Sequence, residues 1–371
     1  MRLIRLSKSC IGDLEKEAVV SVLSKEFLGM GEETKKFEDN LSEFFGKQVV
    51  CVNTGTSALQ LALQAIGIGV GDEVLVPSLT YVASFQAISA TGAIPIPCDV
   101  SLDTCNIYID DLERRYTSKT KAIMPVHYSG DPCELDSLFE FAKEKKIRII
   151  EDAAHAFGSL YKGKKIGSFG DIACFSFDGI KNITSGEGGC IVSEDKNVIE
   201  KVKDLRLLAV QKDSENRYLG KRTWDFDVIE QGWRYHMSNI NASLGLVQLS
   251  RFAGFSKKRQ ILGKLYDQNL LGIDQVTTFK RDYDNITPHI YVVRLDKSVD
   301  RERLRGKLLS DGIQTGVHYQ PNHLLTYYMN QTTLPLPNTE LLHSQILTLP
   351  LHPDLTEEDI VDVVNSIKKH I

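Results

Sequence analysis

Between residues 49 and 177, short unbroken apolar runs alternate with stretches of helical periodicity, and this alternation restricts the possible folds more than any other property of the chain. Val49-Val50-Cys51-Val52, Glu73 to Pro77, Ile94 to Val100, Lys121 to His127, Arg148 to Asp152 and Ile172 to Phe177 read as buried strands. The intervening residues 58–66, the run to Thr91, 109–116 and 134–146 carry apolar positions at helical spacing. A strand that is apolar on both faces needs cover on both, so the alternation predicts an α/β protein with a mostly parallel sheet.

In open sheets of this kind, ligands bind beyond the strand ends. Asp152 closes one apolar run, and Lys181 follows another and precedes Gly186-Glu187-Gly188-Gly189. An acid and a lysine at such places match the needs of pyridoxal phosphate. The lysine amine holds the aldehyde, and the carboxylate keeps the pyridine nitrogen protonated so that the ring accepts electrons.

Asn53-Thr54-Gly55-Thr56-Ser57 joins a strand to a helix. The first amides of a helix lack intrahelical partners, so this turn is suited to a phosphate; N-capping by Thr56 or Ser57 is the competing reading. Tyr81, near the next helix start, is placed either to stack on a planar cofactor or to pack in the core. Gly67-Ile68-Gly69-Val70-Gly71 follows a helix and precedes a strand, the reverse of a dinucleotide-binding turn. Residues 13–26 and 32–46 read as helices, with Phe27 to Gly31 either a plain turn or a bend close to a ligand.

The net charge of −5 and pI near 6.0 argue against nucleic acid as a partner and favour small molecules. Charges interrupt every apolar run of the N-terminal stretch, which excludes a signal peptide or membrane span there and predicts a cytoplasmic protein. The seven cysteines never form CxxC and lie mostly in apolar runs, so buried reduced thiols are expected. The histidines show no metal-ligand pairing, and no metal site is predicted.

Beyond Gly189 a strand at 191–193 and a helix over 195–209 precede a polar stretch, 211–231, read as a long surface loop. Helical periodicity returns from Asn239 to Phe255. After that, Ile290 to Leu295, a helix from Asp300 to Asp311, Thr315 to Tyr319 and a C-terminal helix from Thr356 make a smaller α+β unit. The expected division is 1–255 and 256–371, with the N-terminal segment packing on the smaller unit.

NTGTSALQLAL, PSLTYVAS, EDAAHAFGS, FSFDGIKNITSGEGG and WRYHMSNINASLGLVQL occur in this order, and together the chain resembles the DegT/DnrJ/EryC1/StrS family of sugar-nucleotide aminotransferases, from LSKSCIG at 6–12 to LPLHPDLT at 349–356. The resemblance implies an aspartate-aminotransferase-like (fold type I) large domain and pyridoxal 5'-phosphate as cofactor. It implies that Lys181 carries the cofactor and then moves the substrate proton, that Asp152 pairs with the ring nitrogen, that His155 lies near the ring oxygen and that Tyr81 stacks on the ring. Gly55, Thr56, Ser57 and Ser176 would hold the phosphate. Sugar dehydratases of the same fold carry His at the lysine position, so Lys181 favours amino transfer.

Many relatives read GYNYRM where this chain has Gly232-Trp233-Arg234-Tyr235-His236-Met237, and their Asn reaches the phosphate of the partner's cofactor. Arg234 at that place either donates to the phosphate or faces solvent; with His236 it marks the interface of a homodimer with shared active sites. His318, Tyr319 and His323 are candidate substrate contacts, or else structural. By resemblance the donor is L-glutamate and the acceptor a nucleotide-linked 4-keto-6-deoxyhexose, with dTDP-4-amino-4,6-dideoxyglucose (viosamine) as product for O-antigen or another lipopolysaccharide or surface glycan. GDP-linked perosamine formation, C-3 amination and a non-catalytic regulatory relative are the alternatives.

Overall fold

The computed structural model describes residues 2–221, 224–329 and 334–371. Helices α1 (Asp13–Ser24) and α2 (Glu32–Phe45) come first, and Gly46 ends α2 at φ 70°, a conformation that costs glycine nothing. Strands β1 (Gln48–Val52), β2 (Glu73–Pro77), β3 (Ile94–Cys98), β4 (Thr120–Ile123) and β5 (Arg148–Asp152) alternate with α3 (Gly55–Ala65), α4 (Val82–Ser89), α5 (Ile109–Arg115) and α6 (Leu135–Lys145). A small hairpin, β6 (Leu160–Tyr161) and β7 (Lys164–Lys165), precedes β8 (Ile172–Ser176) and β9 (Gly189–Ser193).

The large sheet runs β1-β9-β8-β5-β4-β2-β3. Only β9 is antiparallel to its neighbours, Cys51 lying opposite Cys190 and Cys174 opposite Ile191. The predicted alternation has a direct physical counterpart. Cys51, Leu75, Ile149 and Phe175 enter one core, while Val50, Val52, Val76, Ile150 and Cys174 enter the other on the opposite face. All seven cysteines are buried free thiols.

After α7 (Lys196–Leu205), the stretch read as loop contains a helix, α8 (Asp213–Tyr218). Its place is set by Arg206, whose buried guanidinium meets Glu38, the Cys51 carbonyl, Ser214 and Tyr218. Sequence periodicity cannot register a short helix held by the Arg206 side chain and, through the Tyr218 hydroxyl, by Glu38 at the other end of the large domain's sequence. Residues 222 and 223 of the same stretch lie outside the described residues.

The boundary expected at 255 falls inside one helix, α9 (Asn239–Leu270). The first half of α9 packs on α1 and α2; Leu262, Tyr266 and Leu270 enter the core of the smaller unit, so the two units share a rigid element instead of a linker. That unit has the antiparallel sheet β10 (Val276–Thr278), β11 (Tyr291–Leu295) and β12 (Ile346–Leu349), with α10 (Arg301–Ser310), α11 (Pro337–Gln345) and α12 (Glu357–His370). Ile4 pairs with Ile313 and enters the core of the smaller unit.

Candidate active site

A cavity of about 410 Å³ opens where the C-terminal ends of β5 and β8 meet the smaller unit, within the size range of small-ligand sites. Its wall is assembled from distant parts of the chain. Gly55 and Thr56 come from the start of α3, Tyr81 from the start of α4, Asp152 and His155 from the end of β5, Ser176 and Lys181 from the end of β8, and His318 and Tyr319 from the smaller unit. The expectation that an acid and a lysine meet beyond strand ends is what the sheet produces.

Thr54, not Thr56 or Ser57, caps α3: its hydroxyl accepts from Ser57 N at 3.0 Å, and the Ser57 hydroxyl turns back to Asn53 Oδ1 at 2.8 Å. Ser57 is thereby committed to the cap and stays off the cavity wall. The amides of Gly55 and Thr56 open the helix toward the cavity, where the helix dipole adds positive potential. A Cβ on Gly55 would lie 2.8 Å from Ser176 Cβ, so only glycine lets this turn and β8 approach so closely.

Asp152 is buried and accepts from Ser84 Oγ at 2.7 Å and from Ala154 N at 3.2 Å. Burial pushes its carboxyl above the usual range, opposed by those two donors and by Lys181. A buried carboxylate of this kind is completed by a cation, which a protonated ring nitrogen provides. Lys181 is half-buried, and no hydrogen bond or ion pair among the described residues engages its Nζ. Burial lowers its ammonium to about 8, with Asp152 and Asp178 opposing the drop and Arg259 adding to it. A larger share of this lysine than of an ordinary one is therefore neutral near neutral pH, although the ammonium still predominates below about 8.

Burial also keeps His155 neutral, and His318 is lowered to about 4 by burial and by Lys181. Tyr319 OH meets His155 Nε2 at 2.9 Å, and Tyr81, 59% exposed, lies with its ring 5.7 Å from that of Tyr319. An open aromatic face beside an unpaired lysine, a phosphate-sized turn and a buried carboxylate fit pyridoxal phosphate.

Two further sequence candidates lie elsewhere. Arg234 is exposed and paired through its backbone with Leu207, beside Asp213, Arg217, Trp224 and Phe226, outside the cavity of its own chain. His323 Nδ1 bonds Ser78 Oγ at 2.7 Å, while Asn322 donates to the Ser78 and Thr80 carbonyls at 3.1 and 2.8 Å. His323 thus supports the loop that carries Tyr81. Conversely, Thr80, Asp178, Glu187 and His289 line the cavity, and Ser84 holds Asp152, none of them singled out by the sequence. Ser84 stands in the PSLTYVAS stretch, three residues beyond Tyr81, which is a readable signal; His289 sits in a segment without periodicity and only the tertiary fold places it.

The model of the DegT/DnrJ/EryC1/StrS aminotransferase family matches residues 9–368. An uncharacterized protein of Methanocaldococcus jannaschii, MJ1066, is 36% identical over 98% of this chain and 96% of its own length. The putative sugar aminotransferase Spr1654 of Streptococcus pneumoniae, solved in apo, PLP and PMP forms, superposes with a TM-score of 0.91 at 32% identity, covering 99% of this chain and 97% of that one for the PMP form. Helicobacter pylori PseC, an aminotransferase involved in the biosynthesis of pseudoaminic acid, gives a TM-score of 0.93 at 28% identity over 100% and 99% of the two chains. With a lysine and a buried carboxylate facing one cavity, and similarity running nearly end to end, the protein belongs to the DegT/DnrJ/EryC1/StrS aminotransferase family and is a pyridoxal-phosphate-dependent sugar aminotransferase.

Proposed function

We propose that this enzyme moves an amino group from L-glutamate to C-4 of a nucleotide-linked 4-keto-6-deoxyhexose, with dTDP-4-keto-6-deoxyglucose as the acceptor and its product directed to a surface glycan. The observation that carries the reading is the unpaired Lys181 amine facing the same cavity as Asp152. The preference for C-4 rests on the Gly232 to Ala242 stretch, GWRYHMSNINA, which resembles relatives that aminate that carbon.

Gly55, Thr56 and Ser176 would hold the cofactor phosphate, Asp152 the ring nitrogen and Tyr81 the ring face, with His155 beside the ring oxygen. When bound, pyridoxal phosphate supplies an electron sink and carries the amino group between the two half-reactions. Lys181, as a neutral amine, takes the proton from the α-carbon of the donor and returns it on the other side of the exchange, and the same residue runs the sequence in reverse on the ketosugar. Tyr319 and His318 reach the cavity from the smaller unit and meet donor or sugar there.

Among the described residues, the cavity wall of one chain contains Asp152, Asp178 and Glu187 but a single cationic side chain, Lys181. A dianionic donor and a sugar diphosphate need more positive charge than that. This supports a homodimer in which a second copy brings cationic groups, with exposed Arg234 the candidate beside exposed Trp224 and Phe226.

The test is to load the protein with pyridoxal phosphate, confirm that glutamate bleaches its colour, and supply dTDP- and GDP-linked 4-keto and 3-keto sugars. The aminated carbon is then assigned by NMR. Amination of the dTDP-4-keto sugar at C-4 is expected; product aminated at C-3, or no bleaching by glutamate, refutes the reading.

A further inference from the structure

Four residues, Ile286 to His289, connect the parts of the site that the sheet alone does not join. The Asn182 amide, next to Lys181, donates to Thr287 O at 3.1 Å and to Phe157 O at 3.3 Å. Thr287 N donates to Ser159 Oγ at 3.0 Å, and the Thr287 and Ser256 hydroxyls meet at 2.6 Å. His289 N donates to Ser129 O at 3.0 Å. The lysine loop, the loop after His155 and helix α9 are thus tied to one short segment.

Arg259 of α9 controls the end of that segment. One of its terminal nitrogens, Nη1, donates to the carbonyls of His289 at 3.0 Å, Leu351 at 3.3 Å and Pro288 at 3.4 Å. The side chain is 2% exposed, its Nε has no partner, and no carboxylate among the described residues pairs with it. A buried cation offset only by carbonyl dipoles is costly to maintain, which calls for a reason beyond packing. His289 itself is 4% exposed, lines the cavity with its ring 4.4 Å from that of His155, and keeps Nδ1 buried without a partner.

We propose that Arg259 is a positioning residue of the active site, fixing the segment that sets His289 against His155 and braces the Lys181 loop. The inference rests on the reading that Lys181 carries the cofactor. The groups acting on the lysine are Asp152 and Asp178, which favour its ammonium, and Arg259, which opposes it; burial disfavours the charge as well. His155, His289 and His318 stand around it and are kept neutral, and Glu187 lines the same wall. Arg259 is therefore the permanent cation in this set, and removing it makes the lysine harder to deprotonate.

Arg259→Gln removes the charge and keeps an amide donor on a shorter side chain; Arg259→Lys keeps the charge but replaces the guanidinium Nη1 that reaches all three carbonyls with an ammonium in a different position. Lys181 is followed in the cofactor-free protein by the pH dependence of its acetylation, read by mass spectrometry, and in the loaded protein by the pH midpoint of the cofactor absorbance. Arg259→Gln is expected to raise the Lys181 midpoint, lowering the neutral fraction at pH 7 by about three- to ten-fold, the effect of one partly screened charge. Arg259→Lys is expected to leave the midpoint in place and to reduce kcat. A folded Arg259→Gln with the wild-type midpoint overturns the proposal. Should that variant not fold, Arg259→Lys decides: an unchanged kcat, or a midpoint raised with charge retained, overturns it. Borohydride trapping of the cofactor on a residue other than Lys181 would instead refute the catalytic reading.

Discussion

The Tyr319 hydroxyl lies 2.9 Å from His155 Nε2, although one residue belongs to the smaller unit and the other follows β5 of the large sheet. Ser129 N donates to His155 Nδ1 at 3.3 Å, so the single proton of the neutral ring sits on Nε2 and is donated to the tyrosine oxygen. The phenol proton is left to point at a ligand in the cavity that Tyr319 lines.

Replacing Tyr319 with Phe removes that donor while keeping the ring. The expected result is a fall of about ten-fold in kcat/KM, the size of one good hydrogen bond, with a lowered melting temperature because the buried His155 Nε2 proton loses its acceptor. Steady-state kinetics and thermal unfolding measure the two sides; wild-type kcat/KM would remove Tyr319 from the reaction.

The lowered Lys181 ammonium makes a pH prediction with a definite sign. Between its folded value of about 8 and the ordinary lysine value of 10.5, the folded chain binds fewer protons than the unfolded one. Unfolding free energy should therefore rise with pH across that window in the cofactor-free protein. Compared with Lys181→Met, in which this group is absent, the wild-type curve should show the additional upward slope between those values; parallel curves would contradict the assignment.

Gly55→Ala tests the phosphate turn. Its Cβ would meet Ser176 Cβ at 2.8 Å and Ser176 Cα at 3.2 Å, so the turn and β8 must separate locally. Cofactor affinity should weaken by at least about ten-fold, read from the absorbance titration, with the circular dichroism spectrum retained. Wild-type affinity would place the phosphate elsewhere.

The Glu38–Arg206 pair tests the fold away from the cavity. Both side chains are nearly fully buried, and Tyr218 and Ser214 complete the cluster. Glu38→Gln leaves a buried guanidinium without its anion and should cost roughly 3–5 kcal/mol in denaturant unfolding. A loss below about 1 kcal/mol would show that the cluster carries little of the stability of α8.

The strands of the large sheet, the helices between them and the approach of Asp152 to Lys181 were legible because each depends on local periodicity and on the rule that open parallel sheets bind ligands at their carboxyl ends. The motif order also pointed to the cofactor and reaction class. Less legible were features set by particular side-chain contacts, which leave no period in the sequence. The 211–231 stretch reads as loop because α8 is short and polar, yet Arg206 anchors it. The family resemblance assigned Ser57 to the phosphate, whereas its amide and hydroxyl are engaged by Thr54 and Asn53 in the helix cap.

By itself, the sequence determined the α/β architecture, the aminotransferase family and the lysine–carboxylate pair, since strand and helix periods and short motifs are written in neighbouring residues. The tertiary structure alone decided that α9 runs through the expected domain boundary, that His323 supports a loop while His289 faces the cavity, and that Arg234 lies outside its own chain's site. Those outcomes depend on which surfaces meet when the two units close on a shared helix, and such long-range contacts leave no period in the sequence.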